Sequence, residues 1–201
     1  MTAIIDYGAG NIFSVKNALE YLGCPCELTS DPEKVKNADR IILPGVGAFP
    51  KAAEMLRGSG LWELIKEQAR IKPFLGICLG MQLMFDKSYE FEECDGLGLI
   101  KGSVKLMETG DLSLPHIGWN SLGFNVKAPL MDSIDDGSYV YFVHSYAAVC
   151  DAENVIAYCD YAGKRTAAVW DGKYAYGCQF HPEKSGDIGL RILKNFTSLA
   201  V

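Results

Sequence analysis

The sequence predicts an α/β protein with a mostly parallel sheet flanked by helices and with added antiparallel strands. In the first half of the chain, short apolar strands alternate with amphipathic helix patterns, as in parallel βαβ units. In the second half, strand-like segments follow one another with little helix between them. The 201 residues, 49% of them hydrophobic, suffice for a full core, and we expect residues 1–201 to form a single domain.

The first half begins with a short apolar strand at residues 2–6. A turn follows, and its last residue, Asn11, is predicted to cap a helix. The apolar residues of that helix recur at helical spacing: Ile12, Val15, Leu19 and Leu22. Residues 24–29 are predicted to form the second strand.

Asp31 and Pro32 predict the start of a short helix, because proline is favoured at the first helical position. Residues 40–43 predict a third strand, which ends in the glycine-rich turn Pro44-Gly-Val-Gly47. Two further helical stretches are predicted before a fourth strand that ends at Cys78: residues 50–57 and 61–70. Another apolar helix pattern starts directly after Cys78.

In the second half, five segments are predicted to be strands: residues 97–107, 139–149, 155–161, 167–170 and 174–180. Asp171-Gly172, between the last two, predicts a two-residue hairpin turn. An amphipathic helix is predicted at the C-terminus with one apolar face: Ile188, Ile192, Phe196 and Leu199.

Composition argues against several classes of protein. The net charge is −6 and no basic block is present, so we expect no nucleic-acid partner. The first residues lack the basic and apolar regions of a signal peptide, and no apolar run is long enough to span a bilayer, so we expect no membrane partner. The seven cysteines show no C-x-x-C pair, which argues against a metal site and favours a reduced, cytoplasmic setting.

Cys78 has the surroundings of a nucleophile. Gly76 and Gly80 flank it two residues away on either side, at the junction of a strand and a helix, which is the layout of a nucleophile elbow with Cys in place of Ser. Such a turn strains the backbone at the nucleophile and leaves no room for side chains beside it. The Leu79 N–H would then point toward an oxyanion formed at the sulfur. The alternative is a buried structural cysteine between two packing glycines.

A thiol nucleophile needs a base, and the chain offers three histidines: 116, 144 and 181. Local context favours His181, because Pro182 restricts it to extended geometry and Glu183, two residues on, can approach its ring. A solvated His-Pro-Glu turn is the alternative, and His144 remains a rival base. The Pro44-Gly-Val-Gly47 turn could bring a second backbone N–H near the elbow, or be only a turn.

These motifs together resemble the class I (triad-type) glutamine amidotransferase family. Further segments are similar to its glutaminase subunits of imidazole glycerol phosphate synthase, an enzyme of histidine biosynthesis: residues 44–49, 78–82, 115–120, 141–146 and 179–185. The similarity runs from Asp6 almost to the C-terminus. It implies the flavodoxin-like form of the α/β fold that is typical of class I glutamine amidotransferases.

The resemblance implies that Cys78 attacks the carboxamide of glutamine, with His181 as base and Glu183 as its orienting group. It places the oxyanion donors at Leu79 and at the Val46–Gly47 backbone. It implies no cofactor and no metal. The residues that it assigns to glutamine binding are Gln82, Glu90, His144, Ser145 and Tyr146. For Glu90, a solvated loop acid is the competing interpretation.

No basic cluster or complete phosphate loop suggests a site for an ammonia acceptor on this chain. The resemblance implies a (β/α)8-barrel cyclase subunit as heterodimer partner, which receives the ammonia and makes imidazole glycerol phosphate and an aminoimidazole carboxamide ribotide. In the family, glutaminase activity is weak until the cyclase binds its nucleotide, and we expect the Val46–Gly47 peptide to reorient at that point. The implied interface residues are Asn11, Trp119, Tyr141 and Lys184.

Three other functions remain open at this stage. The first is the amidotransferase subunit of anthranilate, aminodeoxychorismate or pyridoxal phosphate synthesis, against which Met81 and residues 115–120 argue. The second is a Cys-His-Glu peptidase or thiol hydrolase on a related sheet. The third is a catalytically silent binding subunit that keeps the fold.

Overall fold

The computed structural model describes residues 1–200. Its strands, in chain order, are β1 (Thr2–Ile5), β2 (Cys26–Thr29), β3 (Arg40–Gly45), β4 (Phe74–Cys78), β5 (Phe85–Ser88), β6 (Cys94–Asp95), β7 (Ile100–Leu106), β8 (His116–Ser121), β9 (Gly123–Phe124), β10 (Tyr139–His144), β11 (Tyr146–Cys150), β12 (Val155–Asp160), β13 (Lys164–Trp170) and β14 (Ala175–Cys178). The helices are α1 (Ile12–Tyr21), α2 (Pro32–Asn37), α3 (Phe49–Gly58), α4 (Trp62–Gln68), α5 (Leu79–Gln82) and α6 (Gly186–Ser198). Single 3₁₀ turns lie at Pro129–Met131, Ala152–Asn154 and Pro182–Lys184.

The largest sheet has the strand order β2-β1-β3-β4-β14-β13-β12-β9. Its first five strands are parallel and follow the flavodoxin-like order, whereas β13, β12 and β9 extend it in antiparallel fashion. A β10-β8 pair and a four-stranded β11-β7-β5-β6 sheet complete the molecule. The predicted α/β class, mostly parallel with added antiparallel strands, is therefore confirmed.

The local signals of the first half correspond to the observed elements. Asp31 caps α2 by accepting from the Glu33 N–H at 2.9 Å, and Pro32 is the first helical residue. Asn11 is the residue before α1, but its side chain accepts from the Ser14 hydroxyl at 2.8 Å and caps no backbone N–H. The position of the predicted cap is thus right, and the predicted capping bond is wrong.

Residues 139–149 do not form the single strand that the sequence predicts. The strand breaks at Ser145, because β10 pairs with β8 while β11 pairs with β7 in a different sheet. An apolar run shows that a segment is buried and extended, but it does not show where the segment changes its partner.

The predicted two-residue hairpin turn at Asp171-Gly172 is also wrong. Asp171 N–H bonds to the Ala175 carbonyl, so the connection is longer. The Asp171 carboxylate accepts from the backbone N–H groups of Lys173, Tyr174 and Ala175 at 2.7–3.0 Å. This side chain closes a wider loop than the dipeptide signal predicts.

The helix after Cys78 is a single turn, α5, and the chain returns to strand at Phe85. The short apolar run after the cysteine fits helix and buried strand equally well, since periodicity does not separate them over so few residues. Four of the observed strands are not predicted by the sequence: β5, β6, β8 and β9.

Two apolar layers cover the main sheet. On one face, α1 and α6 pack through residues such as Val15, Leu19 and Phe196. On the other, α2, α3 and α4 pack through residues such as Val35 and Phe49. Of the predicted C-terminal face, Ile192 and Phe196 are fully buried, whereas Leu199 lies just beyond α6. Within residues 1–200 no helix is long and apolar enough to cross a bilayer.

The register of the parallel strands brings three segments together at one sheet edge. Cys78, the last residue of β4, lies opposite Gly45 on β3. On the other side, Ile77 pairs with Cys178 of β14, so Gln179 follows at the level of Cys78. Because the carboxyl ends of parallel strands form the binding crevice of such sheets, this edge is the place to look for a site.

Replacing Gly80 by Ala should strongly destabilise the protein. A Cβ there would lie 1.8 Å from the Leu43 carbonyl oxygen, and both groups belong to packed backbone. We expect a loss of more than about 3 kcal/mol in the free energy of unfolding, measured in denaturant. Gly58→Ala is the control, because a Cβ there meets nothing within 4 Å and alanine favours the helix by about 0.5–1 kcal/mol. Equal stabilities of the two variants would contradict the packing argument.

Candidate active site

Cys78 sits in a strained turn between β4 and α5. Its backbone has φ 54° and ψ −110°, a conformation that non-glycine residues rarely adopt. A Cβ on Gly76 would lie 2.6 Å from the Gly80 carbonyl oxygen, so both flanking glycines are required by close backbone packing. The structure therefore has the geometry of the nucleophile elbow that the glycine spacing predicts.

Cys78 opens into a cavity of about 520 Å³ at the carboxyl edge of the sheet. The cavity is lined by residues from six segments that are distant in sequence: Val46, Gly47, Cys78, Leu79, Gln82, Glu90, Phe91, Pro115, Val143, His144, Ser145, Tyr146, His181 and Lys184. The structure thus brings together every predicted oxyanion and glutamine-binding residue.

His181 and Glu183 form a buried pair beside the cysteine. The Glu183 carboxylate lies 2.8 Å from His181 Nδ1. His181 is extended, as the following Pro182 predicts, with φ −99° and ψ 97°. Pro182–Lys184 then form a 3₁₀ turn, so Glu183 reaches the ring through this turn and not through continued extended chain. The solvated-turn alternative is wrong, since both side chains are almost fully buried.

The proton of His181 is placed by this pair. Burial lowers the pKa of His181, but hydrogen bonding and charge from Cys78 and Glu183 outweigh it and raise the pKa to about 9. Its Nε2 has no aligned hydrogen-bond partner among the described residues, although the Cys78 sulfur is close enough to affect the pKa. A cationic ring therefore lies next to the Cys78 sulfur at neutral pH.

His144 has the opposite electrostatics. Burial lowers its pKa to about 4, so the ring is neutral at neutral pH. Its Nδ1 donates to the Tyr146 carbonyl at 2.9 Å, and no carboxylate orients it. Of the two rival bases, only His181 therefore has both the carboxylate partner and the raised pKa.

The predicted oxyanion donors lie on two sides of the cysteine. The Leu79 N–H starts α5, directly after Cys78, while Val46 and Gly47 follow Gly45 at the end of β3. Gly47 has φ 101°, and a Cβ there would meet nothing within 4 Å. Leu79 is therefore held by the elbow, whereas Gly47 has free space at its Cβ position.

Gln82 and Glu90 are buried and held by specific contacts. Gln82 Nε2 donates to the Tyr146 carbonyl and to Gln179 Oε1, each at 3.0 Å. Glu90 Oε2 accepts from the Phe49 N–H at 2.8 Å. The alternative of Glu90 as a solvated loop acid is therefore wrong, because the residue is 9% exposed and lines the cavity.

Three site residues were not singled out from the sequence. Gln179, fully buried, donates from Nε2 to the Cys78 sulfur at 3.7 Å. Phe91 lines the cavity in a left-handed conformation with φ 63°. The Tyr7 hydroxyl is buried without a partner among residues 1–200, close to Gly45, and burial raises its pKa. Only Gln179 carried a signal, its place next to the His-Pro-Glu motif.

The predicted interface residues occupy different places. The Trp119 and Tyr141 rings meet edge to face at 6.1 Å on the β8–β10 pair, and Trp119 is 55% exposed. Lys184 lines the cavity. Asn11 directly precedes α1 and follows Gly10, where a Cβ would lie 3.4 Å from the Pro44 backbone.

Three other cysteines lack the features of a nucleophile. All seven are free. Burial raises the pKa of Cys150 to about 11 and of Cys159 to about 12, and also raises that of Cys178, so these thiols stay protonated at neutral pH. Among the residues that the structure describes, no three His, Cys, Asp or Glu side chains are grouped to hold a metal.

The family model for "Glutamine amidotransferase class-I" matches residues 3–199, and the chain belongs to this family. A relative named imidazole glycerol phosphate synthase subunit HisH, from Bacillus thuringiensis (strain Al Hakam), is 50% identical over 197 residues, which cover 98% of this chain and 93% of the relative.

Solved structures share the fold at low sequence identity. A glutamine amidotransferase superposes with a TM-score of 0.76 at 17% identity, covering 98% of this chain and 99% of that one. PurLQS from Thermotoga maritima superposes with a TM-score of 0.75 at 23% identity, covering 97% and 96%. These two comparisons bear on the fold alone.

The charge state of His181 gives a measurable pH dependence. Its pKa of about 9 lies above the ordinary 6.5, so the interaction stabilises the fold fully below pH 6.5 and is lost as pH rises through about 9. NMR titration of the His181 ring should show a midpoint near pH 9. Glu183→Gln and Cys78→Ala should each lower it, because each removes a partner that raises it. A midpoint near 6.5 that neither substitution moves would contradict this assignment.

Proposed function

We propose that this chain hydrolyses glutamine to glutamate and ammonia as the glutaminase subunit of an imidazole glycerol phosphate synthase. One observation carries the proposal: Cys78 stands in a strained elbow beside the buried His181–Glu183 pair and opens into a cavity of about 520 Å³. The 50% identity to the Bacillus subunit over 98% of the chain supports a role in histidine biosynthesis among the possible amidotransferase pathways. Residues 1–201 act as one amidotransferase domain.

In the first step the Cys78 thiolate attacks the carboxamide carbon of glutamine and forms a C–S bond. The carbonyl electron pair moves to oxygen, where the Leu79 N–H and the Val46–Gly47 backbone stabilise the charge. The C–N bond then breaks, and the leaving nitrogen takes its proton from His181 Nε2. Ammonia and a glutamyl thioester result.

In the second step His181, now neutral, takes a proton from water, and the water oxygen attacks the thioester carbon. The C–S bond breaks and its electron pair returns to sulfur, which restores the thiolate and the imidazolium. Glu183 holds the ring through Nδ1 in both steps, so Nε2 always faces the reacting atoms.

Glutamine is held by the walls of the cavity. Both protons on Gln82 Nε2 are used within the protein, which leaves its Oε1 as an acceptor toward the cavity. Glu90 uses one carboxylate oxygen for the Phe49 N–H and offers the other to the substrate ammonium. The backbone of His144, Ser145 and Tyr146 forms the opposite wall, where strand β10 ends and β11 begins.

The decisive experiment measures glutamate release by the purified chain, with and without a cognate cyclase and its nucleotide. We expect activity from wild type and a loss of at least about 10³-fold in Cys78→Ala, since the nucleophile is removed. Cys159→Ala is the matched control, because Cys159 is buried on β12, does not line the cavity, and should leave the activity unchanged. Absence of glutamate under every condition would refute the proposal. Cleavage of a peptide panel without release of ammonia from glutamine would instead favour a Cys-His-Glu peptidase.

The ammonia is passed to a partner subunit, and the naming of the Bacillus relative as one subunit of a synthase supports this. The partner is the (β/α)8-barrel cyclase subunit, in a cytoplasmic heterodimer without nucleic acid or membrane. An apolar strip on the β8–β10 pair supports a docking face here. Residues that alternate along the strands turn the same way, and three of them are more than half exposed: Ile117, Trp119 and Tyr139.

The docking face is joined to the catalytic segment through Tyr141. The Tyr141 carbonyl accepts from the His181 N–H at 3.0 Å, and the Tyr141 N–H donates to the Ser185 hydroxyl at 3.0 Å. Lys184, in the cavity wall, and Asn11, before α1, are the other residues that we assign to the partner surface. The Val46–Gly47 peptide, with free space around Gly47, is the part that reorients when the cyclase binds its nucleotide.

Trp119→Ala should weaken binding of the cyclase by at least about tenfold, because large aromatic side chains dominate interface energies. Calorimetric titration with the cyclase measures the effect. Ile71→Ala is the control: Ile71 is 59% exposed but lies before β4, at the opposite edge of the sheet. Equal cyclase affinities for the two variants would exclude the β8–β10 face as the interface.

A further inference from the structure

We propose that Gln179 is a further catalytic residue, which donates an N–H to the Cys78 sulfur. The Tyr146 carbonyl sets the direction of its amide through Gln82, and His116 is a positioning residue that holds His144 against the same carbonyl. This polar chain runs through the buried interior from β8 to the elbow. This proposal rests on the proposed function, because both concern the same site. The geometry of the polar chain, however, does not depend on which substrate binds.

The first link fixes a proton on each histidine. His144 Nδ1 lies 2.9 Å from the Tyr146 carbonyl oxygen, which can only accept, so Nδ1 carries the proton. Burial keeps this ring neutral, and its Nε2 is therefore an acceptor. His116 Nδ1, 3.3 Å away, must then be the donor. Both rings are consequently Nδ1–H tautomers.

His116 is itself held rigidly. Its ring stacks on Tyr161 at 3.9 Å between centroids and on Phe142 at 4.9 Å, with interplanar angles of 19° and 20°. It is 3% exposed. A ring clamped in this way presents its donor in one direction and leaves His144 one favourable orientation.

The second link fixes the direction of two amides. The Tyr146 carbonyl accepts from Gln82 as well as from His144, so the Gln82 atom facing it is nitrogen. The same nitrogen lies 3.0 Å from Gln179, and the atom it meets there must be the oxygen. The Gln179 amide therefore points its nitrogen the other way.

The last link ends on the nucleophile. Gln179 Nε2 lies 3.7 Å from the Cys78 sulfur, and Gln179 is fully buried. A reversed amide would present oxygen to the sulfur and repel a thiolate. The Tyr146 carbonyl thus sets the direction of the Gln82 and Gln179 amides, and Gln179 presents an N–H to the Cys78 sulfur. A hydrogen-bond donor at this position favours the thiolate form of the sulfur.

The tautomers can be tested in the wild-type protein by ¹⁵N NMR of its histidine rings. We expect His116 and His144 to be neutral with the proton on Nδ1 between pH 7 and 8, because burial lowers the pKa of both rings from the ordinary 6.5. A neutral ring protonated on Nε2, or a cationic ring in this range, would overturn the proposed chain. This measurement needs no substitution, so failure of a variant to fold does not affect it.

The donor is tested by alkylation of Cys78 with iodoacetamide, followed by mass spectrometry of the Cys78 peptide. Gln179→Leu should be alkylated about tenfold more slowly at pH 7, and the deficit should shrink toward alkaline pH, because the donor matters only for forming the thiolate. Gln179→Glu should be slower still. A folded Leu variant alkylated at the wild-type rate would overturn the role of Gln179.

The far end is tested with two substitutions of His116. His116→Phe keeps the stack with Tyr161 but lacks the donor, and should slow Cys78 alkylation about threefold. His116→Asn keeps an N–H near the Nδ1 position and should restore most of the rate, although it stacks less well. Equal rates for the two variants would assign His116 to packing alone. Alkylation uses no glutamine, so the two proposals can fail separately. If the variants show the expected alkylation rates but the wild-type chain releases no glutamate, the proposed function is refuted and the role of Gln179 is not.

Discussion

The candidate site depends on close backbone packing around the turn at Cys78. Gly76 and Gly80 let β4 turn directly into α5 against the Leu43 carbonyl, where no Cβ has room. The turn holds Cys78 at φ 54°, with its sulfur toward the cavity and the Leu79 N–H beside it. Because β3 and β14 are the immediate neighbours of β4, the same packing also fixes where Gly45 and Gln179 stand relative to the sulfur.

The electrostatics of the site follow from the burial of its histidines and from the polar groups that lie next to each of them. His181 and His144 are both buried beside the same cavity, yet their pKa values move in opposite directions. His181 keeps a carboxylate and a thiol as neighbours, which outweigh desolvation. His144 has a carbonyl and another imidazole, which cannot compensate the loss of water. One ring is therefore suited to proton transfer and the other to a fixed tautomer that orders the amides around Gln82.

The β8–β10 pair joins two surfaces with different chemistry. Its inward residues, such as Phe142 and His144, reach the core and the cavity wall, while its outward residues, such as Trp119 and Tyr139, form the exposed apolar strip. Because successive side chains of a β-strand point to opposite faces, the inward and outward residues lie on the two faces of the same strand pair. Backbone bonds from Tyr141 to the His181 segment then connect the outward face to the candidate triad.

The sequence by itself determined the α/β class, the elbow and the His-Pro-Glu pair, because these depend on short-range spacing of glycine, proline and apolar residues. Tertiary structure decided what spacing does not encode: the break of residues 139–149 at Ser145, the wide loop at Asp171 and the burial of Glu90. It also gave His181 and His144 different charges, since their burial and their partners differ. Gln179 reaches Cys78 only through the pairing of β14 with β4, a contact between segments about a hundred residues apart.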